Sequence, residues 1–406
     1  MKQITGGVCA AQGFTASGLH AGVKAGSSPD KNDLALILSD TECSAAATFT
    51  NNRVKASPIY TTMSHMEDGV LHGIVVNSGN ANACAPNGAE HAEAMCAAVA
   101  AATGRDPADF AVASTGVIGV ELNVKAIQQS APALASALSR NGSDAAAEAI
   151  MTTDTVKKEI AVEVNIDGKP VRLGGICKGA GMICPNMGTM LCFLTSDCAI
   201  THEMLTNALH EVVPRTFNRV TVDGDTSTND ACIVLSNGLA GNHLIEWKDE
   251  RYEIFRDALM YVCTHLARAI AADGEGATHL LTCTVSGSRS EEAAERLAKA
   301  VVSSALVKAA MFGADANWGR VLCAMGYSKA PFRPDRVDAF FYSSAGKIQV
   351  CKDGAAVGFD EDLAKKILSE EEISIIVNVN EGDCTATCWG CDLTYDYVRI
   401  NGDYRT

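Results

Sequence analysis

The chain has 406 residues, of which 47% are hydrophobic, 20% charged and 5% aromatic, a composition that can bury a large core and excludes intrinsic disorder. Asp and Glu number 48 against 33 Lys and Arg, and the formal net charge of −15 makes nucleic acid and anionic membranes poor partners. No apolar run is long enough to span a membrane, and no apolar stretch follows Lys2 to form a signal peptide. We therefore expect a soluble protein of the cytoplasm.

The first half of the chain mixes strand patterns with helices of small residues. In chain order, we predict a strand at 73–77, a helix at 89–103, a strand at 110–114, helices at 125–139 and 144–151, and a hairpin of 158–166 and 169–176. Asp167-Gly168 supplies the turn of the hairpin.

The second half has the same mixture. Thr201 is the predicted N-cap of a helix, and Ser290 is the predicted N-cap of another. The predicted helices are 202–213, 250–272 and 290–311, and the predicted strands are 217–223, 280–286, 337–342, 348–351, 373–379 and 393–400. Regular strand–helix–strand alternation is missing, as are repeats and linkers, so the sequence predicts an α+β or layered α/β fold.

The sixteen cysteines are scattered among apolar residues, where free cysteine behaves as a small hydrophobe. The exception is Cys384, Cys388 and Cys391, whose C-x3-C-x2-C spacing can hold an iron–sulfur cluster of the kind found in radical enzymes. These cysteines lie close to the end of the chain, and an alternating pattern follows them, which favours cysteines packed in a strand.

Seven polar, glycine-containing segments are candidates for a ligand site. They are 77–82, 113–117, 151–155, 178–182, 221–230, 273–277 and 315–319. Each alone is typical of a turn, whereas seven at the ends of strands indicate loops that bind a ligand. Motifs for phosphate loops, dinucleotides, zinc and hydrolase nucleophile elbows are absent, and no metal site is predicted.

Gly188-Thr189 is followed directly by the apolar run 190–194. A threonine after a small residue at the start of a strand suits self-cleavage, in which its hydroxyl attacks the preceding carbonyl. The freed α-amine, with a pKa of about 8, would then serve as base for the hydroxyl. From these residues alone, an ordinary threonine at the start of a buried strand is the favoured interpretation, and self-cleavage is the alternative.

At this point the sequence resembles the ornithine acetyltransferase (glutamate N-acetyltransferase) family of arginine biosynthesis. The resemblance covers essentially the whole chain and is carried by eight collinear blocks, at 77–83, 114–119, 151–155, 178–194, 221–230, 273–278, 317–320 and 401–406. It implies a self-cleaving fold with an N-terminal threonine nucleophile, mixed sheets and flanking helices.

The family's activity implies cleavage between Gly188 and Thr189, giving an alpha fragment, 1–188, and a beta fragment, 189–406, with two copies of each in the assembly. Thr189 would carry acetyl from N-acetylornithine to glutamate without a cofactor, and acetyl-CoA is a candidate second donor. A related self-cleaving amidase or aminopeptidase is the alternative activity, and a non-catalytic amino-acid sensor is a further one.

The resemblance also assigns roles to individual residues. Thr115 and Gly116 match the family's oxyanion hole. The implied substrate contacts are Thr152, Lys178, Thr189, Glu275, Asn401 and Thr406, with Thr153 and Thr155 as alternatives to Thr152. Two departures stand out: Gly188 replaces the usual Ala, and Lys178-Gly-Ala-Gly181 replaces the common Lys-Gly-Ser-Gly.

Overall fold

A computed structural model of the chain describes residues 1–24, 26–184 and 190–403. Its strands are β1 Lys2–Ile4, β2 Phe14–Leu19, β3 Leu34–Phe49, β4 Val70–Asn77, β5 Phe110–Ser114, β6 Lys158–Ile166, β7 Lys169–Lys178, β8 Leu191–Ser196, β9 Val220–Thr221, β10 Ala231–Ser236, β11 Leu280–Ser288, β12 Asp338–Ser343, β13 Gly346–Lys352, β14 Ala355–Ala356, β15 Glu372–Asn378 and β16 Cys384–Cys391. Its α-helices are α1 Ser57–His65, α2 Gly88–Thr103, α3 Val124–Ser136, α4 Ser143–Ala149, α5 His202–Val212, α6 Glu250–Ala272, α7 Glu291–Ser303, α8 Ala305–Phe312, α9 Trp318–Tyr327, α10 Glu361–Ile367 and α11 Tyr395–Asp403.

The strands form two mixed sheets. The larger sheet runs in the order β1-β6-β7-β8-β10-β3-β4-β5, with β2 added on β3, and the smaller runs β14-β13-β12-β15-β11-β16-β9. The central strand β8 pairs antiparallel with β7 and parallel with β10. Every residue of β8 and β10 is buried, which fits their nearly continuous apolar sequences.

Helix α6 connects the two sheets. It packs on β6 and β7 of the larger sheet and also contacts β9, β11 and β16 of the smaller one. Its buried face, which includes Tyr252, Phe255 and Leu259, belongs to a core shared with β6, β7 and β8. The smaller sheet has its own core beneath α7, α8, α9 and α10. Because α6 spans the larger core, the segment that follows its last turn is brought to the ends of β5 and β7.

The α+β prediction, with mixed sheets and flanking helices, is confirmed. The hairpin of β6 and β7 turns at Asp167-Gly168 as predicted, and the Thr201 hydroxyl accepts a hydrogen bond from Met204 N as the N-cap of α5. The described residues contain no helix that combines the length and the apolar character needed to cross a bilayer.

Three predicted elements are wrong. The helix 290–311 is two helices, because Ser304 is extended and its hydroxyl caps α8 by accepting from Val307 N. The strand 393–400 is helix α11, since the Thr394 hydroxyl accepts from Asp396 N and Tyr397 N and begins a helical turn. The strand 217–223 reduces to a 3-10 turn, Phe217–Arg219, and the two residues of β9.

The cysteines of the C-x3-C-x2-C motif lie along β16, where alternate residues face opposite sides of the sheet. Cys384 and Cys388 are an even number of residues apart and share one side, whereas Cys391 is on the other. The Cys388 thiol points to Glu295 O, while Lys308 Nζ approaches the Cys391 thiol. The strand therefore does not present the three thiols to one ion.

Candidate active site

The segments after β5, β7 and α6 and before β10 meet around one cavity of about 260 Å³. Its lining residues are Thr115, Gly116, Ile118, Thr152, Thr153, Lys178, Gly181, Met182, Ser227, Thr228, Asn229, Glu275 and Asn401. The structure thus brings together the candidate site residues of its described part, with the exception of Thr155. Gly188, Thr189 and Thr406 lie outside the described residues.

The turn after β5 carries the predicted oxyanion hole. Thr115 N donates to Asn77 O at 3.0 Å, so this amide is already occupied, while the Thr115 hydroxyl accepts from Lys178 Nζ at 3.2 Å. Gly116 has φ +132°, and a Cβ there would lie 2.3 Å from Gly79 C and 2.5 Å from Asn80 N. Only glycine fits because backbone atoms fill the space that a side chain would need.

Asn229 holds this turn from the opposite side. The side chain is 7% exposed, and its Nδ2 donates to Ala81 O at 2.6 Å and to Ser114 O at 2.8 Å. The Thr228 hydroxyl in turn donates to Asn229 Oδ1 at 2.6 Å. The sequence marked 221–230 as a ligand segment but gave no role to Asn229, whose contacts fasten the turn that follows β5.

Lys178 is the cation of the cavity. It is the last residue of β7, only 8% exposed, and its ammonium contacts the Thr115 hydroxyl. Burial lowers the pKa of Lys178, and the attraction of Asp154 acts in the opposite direction. A substrate carboxylate would supply a counter-charge to this buried ammonium.

Glu275 contributes a carboxylate to the cavity lining. Its Oε2 accepts from Asn401 Nδ2 at 2.7 Å, and its backbone N donates to Ala180 O at 2.9 Å. A Cβ added to Gly181 would lie 2.3 Å from the Glu275 carboxylate, so the glycine makes room for that group. Asn401 belongs to α11, which shows that the carboxyl-terminal helix reaches the cavity.

The loop after Lys178 is fastened to the segment 221–230. Asp223 accepts from Met182 N at 2.7 Å and from Ile183 N at 2.9 Å, and Val222 N donates to Ile183 O at 2.6 Å. These contacts hold the loop as far as the described residues extend. On the far side of residues 185–189, Met190 O accepts from Ala231 N at 3.0 Å, at the point where β8 starts.

A buried cluster of three charged side chains lies behind the cavity and was not predicted. Lys158 Nζ donates to Asp154 Oδ1 at 2.7 Å and to Asp273 Oδ2 at 2.5 Å, and these side chains are 0–5% exposed. Burial opposes ionisation of Asp154, yet Lys178 and Lys158 lower its pKa to about 2. The carboxylates raise the pKa of Lys158 although burial acts to lower it. Both aspartates lie in segments marked by the sequence, but a lysine inside a strand gave no signal of its own.

Asp230 is a third buried acid to which the sequence assigned no role. It lies before β10 and lines a small cavity with Thr115, Lys178 and Met190. One of its carboxyl oxygens has no hydrogen-bond partner among the described residues, and burial raises its pKa well above the ordinary value. Burial therefore shifts the protonation equilibrium of Asp230 toward the neutral acid.

Of the seven marked segments, 77–82 and 315–319 contribute no residue to the cavity lining among the described residues, although 77–82 packs against the turn at Gly116. Asn317 is instead the N-cap of α9, with its side chain accepting from Arg320 N, and it borders a separate groove beside Cys323. Thr155 is also turned away from the substrate cavity, since its hydroxyl donates to Asp273. Thr152 and Thr153 are the threonines of that segment that line the cavity.

Comparison with known proteins gives the context of this site. The protein-family profile described as "ArgJ family" matches residues 15–406. The chain is 49% identical to the arginine biosynthesis bifunctional protein ArgJ of Symbiobacterium thermophilum over 407 residues, covering 100% of both chains. It is 44% identical to the glutamate N-acetyltransferase of Methanocaldococcus jannaschii over 414 residues, again covering 100% of both.

A solved structure is also similar. The crystal structure of arginine biosynthesis bifunctional protein ArgJ from Bacillus halodurans shares 44% identity with a TM-score of 0.50, covering 52% of this chain and 98% of the solved one. The chain belongs to the ArgJ family and is an N-acetyltransferase.

Proposed function

We propose that the chain cleaves itself between Gly188 and Thr189, and that Thr189 then transfers acetyl from N-acetylornithine to glutamate. The observation that carries the proposal is one cavity holding Lys178, Glu275 and the Thr115 turn. Met190, the residue after Thr189 in the chain, borders the adjoining cavity with Thr115 and Lys178.

The proposed cleavage begins with attack of the Thr189 hydroxyl on the carbonyl of Gly188, which moves the acyl group from nitrogen to oxygen. Water then hydrolyses the ester and leaves Thr189 with a free α-amine. The solved Bacillus halodurans relative supports separate fragments, since 98% of that chain matches only 52% of this one.

In the transfer, the Thr189 hydroxyl attacks the acetamide carbonyl, and its own α-amine accepts the hydroxyl proton. The Thr115 turn stabilises the oxyanion. Collapse breaks the C–N bond, the proton passes to the leaving amine, and ornithine departs. The amine of glutamate then attacks the acetyl ester, which gives N-acetylglutamate and restores Thr189.

The charges of the cavity support amino-acid substrates. Lys178 is placed to pair with a substrate carboxylate, and Glu275 with an ammonium group, while Thr152 and Asn401 offer polar contacts at the rim. Thr406 is proposed as a further contact from the end of the chain.

The proposal includes the cellular setting and the assembly. Sixteen free cysteines are typical of a reducing compartment, which supports the cytoplasm. The assembly is proposed to contain two copies of each fragment. Transfer through Thr189 needs no cofactor, and acetyl-CoA is proposed as a second donor to the same hydroxyl, to be tested by glutamate acetylation from each donor separately.

The test of this function is acetyl transfer by the purified protein with N-acetylornithine, with and without glutamate. We expect N-acetylglutamate to form only when glutamate is present, and Thr189→Ala to abolish both transfer and cleavage. Release of acetate without any N-acetylglutamate would instead identify a self-cleaving amidase.

A further inference from the structure

The buried cluster of Asp154, Lys158 and Asp273 makes more contacts than its internal ion pairs. Asp154 also accepts from Thr152 N at 3.1 Å and from Gly179 N at 2.7 Å. One carboxylate therefore holds two backbone segments, each of which carries a residue of the cavity: Thr152 in one, and Lys178, next to Gly179, in the other.

Asp273 likewise holds backbone next to the cavity through its carboxylate. It is the residue that ends α6, and it accepts from Thr155 N at 3.1 Å as well as from the Thr155 hydroxyl. Two residues further along the chain is Glu275, whose N–H donates to Ala180 O. The ion pair of Lys158 with Asp273 thus joins the wall that carries Lys178 to the wall that carries Glu275.

The charges of the cluster balance with Lys178 included. Two carboxylates, Asp154 and Asp273, pair with the Lys158 ammonium, and the Lys178 ammonium also attracts Asp154, among side chains that are almost fully buried. Glu275 lies outside this balance and stays available for a cation. Removing one buried member would leave a charge uncompensated, whereas removing one of each sign would not.

We propose that Asp154, Lys158 and Asp273 are positioning residues that fix the separation of Lys178 from Glu275, and thereby the length of amino acid that the cavity accepts. The inference rests on the proposed function, in which these two groups bind opposite ends of ornithine. A substrate longer by one methylene, lysine, is then rejected because its charged ends cannot reach both groups in their fixed positions. Discrimination by one methylene is typically about 10- to 200-fold.

The experiment measures the dissociation constants of ornithine and lysine by calorimetry for two single variants, one double variant, one control variant and the parent protein. Asp273→Asn and Lys158→Met each remove one charge, and the double variant Lys158→Met/Asp273→Asn removes one of each sign. Lys157→Met is the matched control, since Lys157 pairs with the exposed Asp144 on the outer surface. Thermal unfolding is followed for every protein.

We expect the parent and Lys157→Met to prefer ornithine, and the single variants to lose about tenfold or more of this preference. The double variant should recover thermal stability relative to the single variants without recovering the preference. With N-acetylornithine as substrate, KM should rise and kcat should fall by up to about 10²-fold.

Two results would overturn the inference. One is a folded double variant that keeps the ornithine preference of the parent. The other is a double variant that recovers both the ornithine preference and the thermal stability lost in the single variants, which would make the cluster purely structural. A parent protein that prefers ornithine but transfers no acetyl would refute the proposed function, and loss of that preference in the variants would still support the positioning role.

Discussion

Gly181→Ala tests the placement of Glu275 with a single methyl group. The added Cβ would lie 2.3 Å from the carboxylate of Glu275, whereas ordinary contact between such atoms is about 3.5 Å. The carboxylate must therefore withdraw by about 1 Å, which strains its 2.7 Å hydrogen bond with Asn401. The obstacle is the end of a flexible side chain, so the fold can accommodate the methyl group.

A displacement of about 1 Å in a binding group costs up to about 10²-fold in kcat/KM. We expect most of the loss to appear as a higher KM for N-acetylornithine, because Glu275 contacts the substrate ammonium in the ground state. The free energy of unfolding should change by no more than about 0.5 kcal/mol.

Steady-state kinetics with N-acetylornithine and glutamate measure this effect. Gly326→Ala is the control, since a Cβ at Gly326 meets no atom within 4 Å, and its KM should equal that of the parent. In the background of Glu275→Gln, Gly181→Ala should add little, because both substitutions act on the same contact. An unchanged KM in Gly181→Ala would refute the role of Glu275 as the ammonium site.

Two further substitutions test the oxyanion turn and the buried cluster. Gly116→Ala should lower kcat by about 10²- to 10³-fold, because the added methyl group forces the turn away from the Gly79 backbone. The control is Gly119→Ala, at φ +81° in open space, which should cost about 1 kcal/mol of stability and leave kcat unchanged. Equal kcat values in the two variants would contradict the oxyanion assignment. The pKa of Asp154 is lowered to about 2, so its ionisation stabilises the fold above about pH 4 and this contribution is lost as the pH falls toward 2. The stability difference between the parent and Asp154→Asn, measured by denaturant unfolding, should therefore shrink by about 2 kcal/mol between pH 5 and pH 2, and a constant difference would contradict the ionised state of Asp154.

The sequence predicted helices, strands and turns correctly where the local residue pattern matches the burial seen in the structure. The hairpin at Asp167-Gly168 and the capped helix after Thr201 follow from turn and cap chemistry that acts over a few residues. The terminal helix α11 was missed because the sequence pattern assumes burial of one side, whereas apolar residues of this segment are exposed: Tyr395 is 83% and Val398 68% exposed. An alternating pattern predicts a strand only when one side of it is covered.

For the site, too, prediction succeeded within single segments and failed for contacts between distant segments. Its polar loops could be recognised one by one, and the structure brings most of them to one cavity. Asp273 could not be paired with Lys158 from the sequence, because a contact across 115 residues depends on how the sheets fold. The role of Asn229 escaped notice for the same reason, since its acceptors, Ala81 and Ser114, are distant in the chain.

Intact mass measurement of the purified protein tests the central claim most directly. We expect two chains, of residues 1–188 and 189–406, and after incubation with N-acetylornithine alone we expect one acetyl group on the second chain, at Thr189. Addition of glutamate should remove that acetyl group and yield N-acetylglutamate. An uncut chain that transfers acetyl at full rate, or transfer without any acetyl on Thr189, would contradict the proposed mechanism.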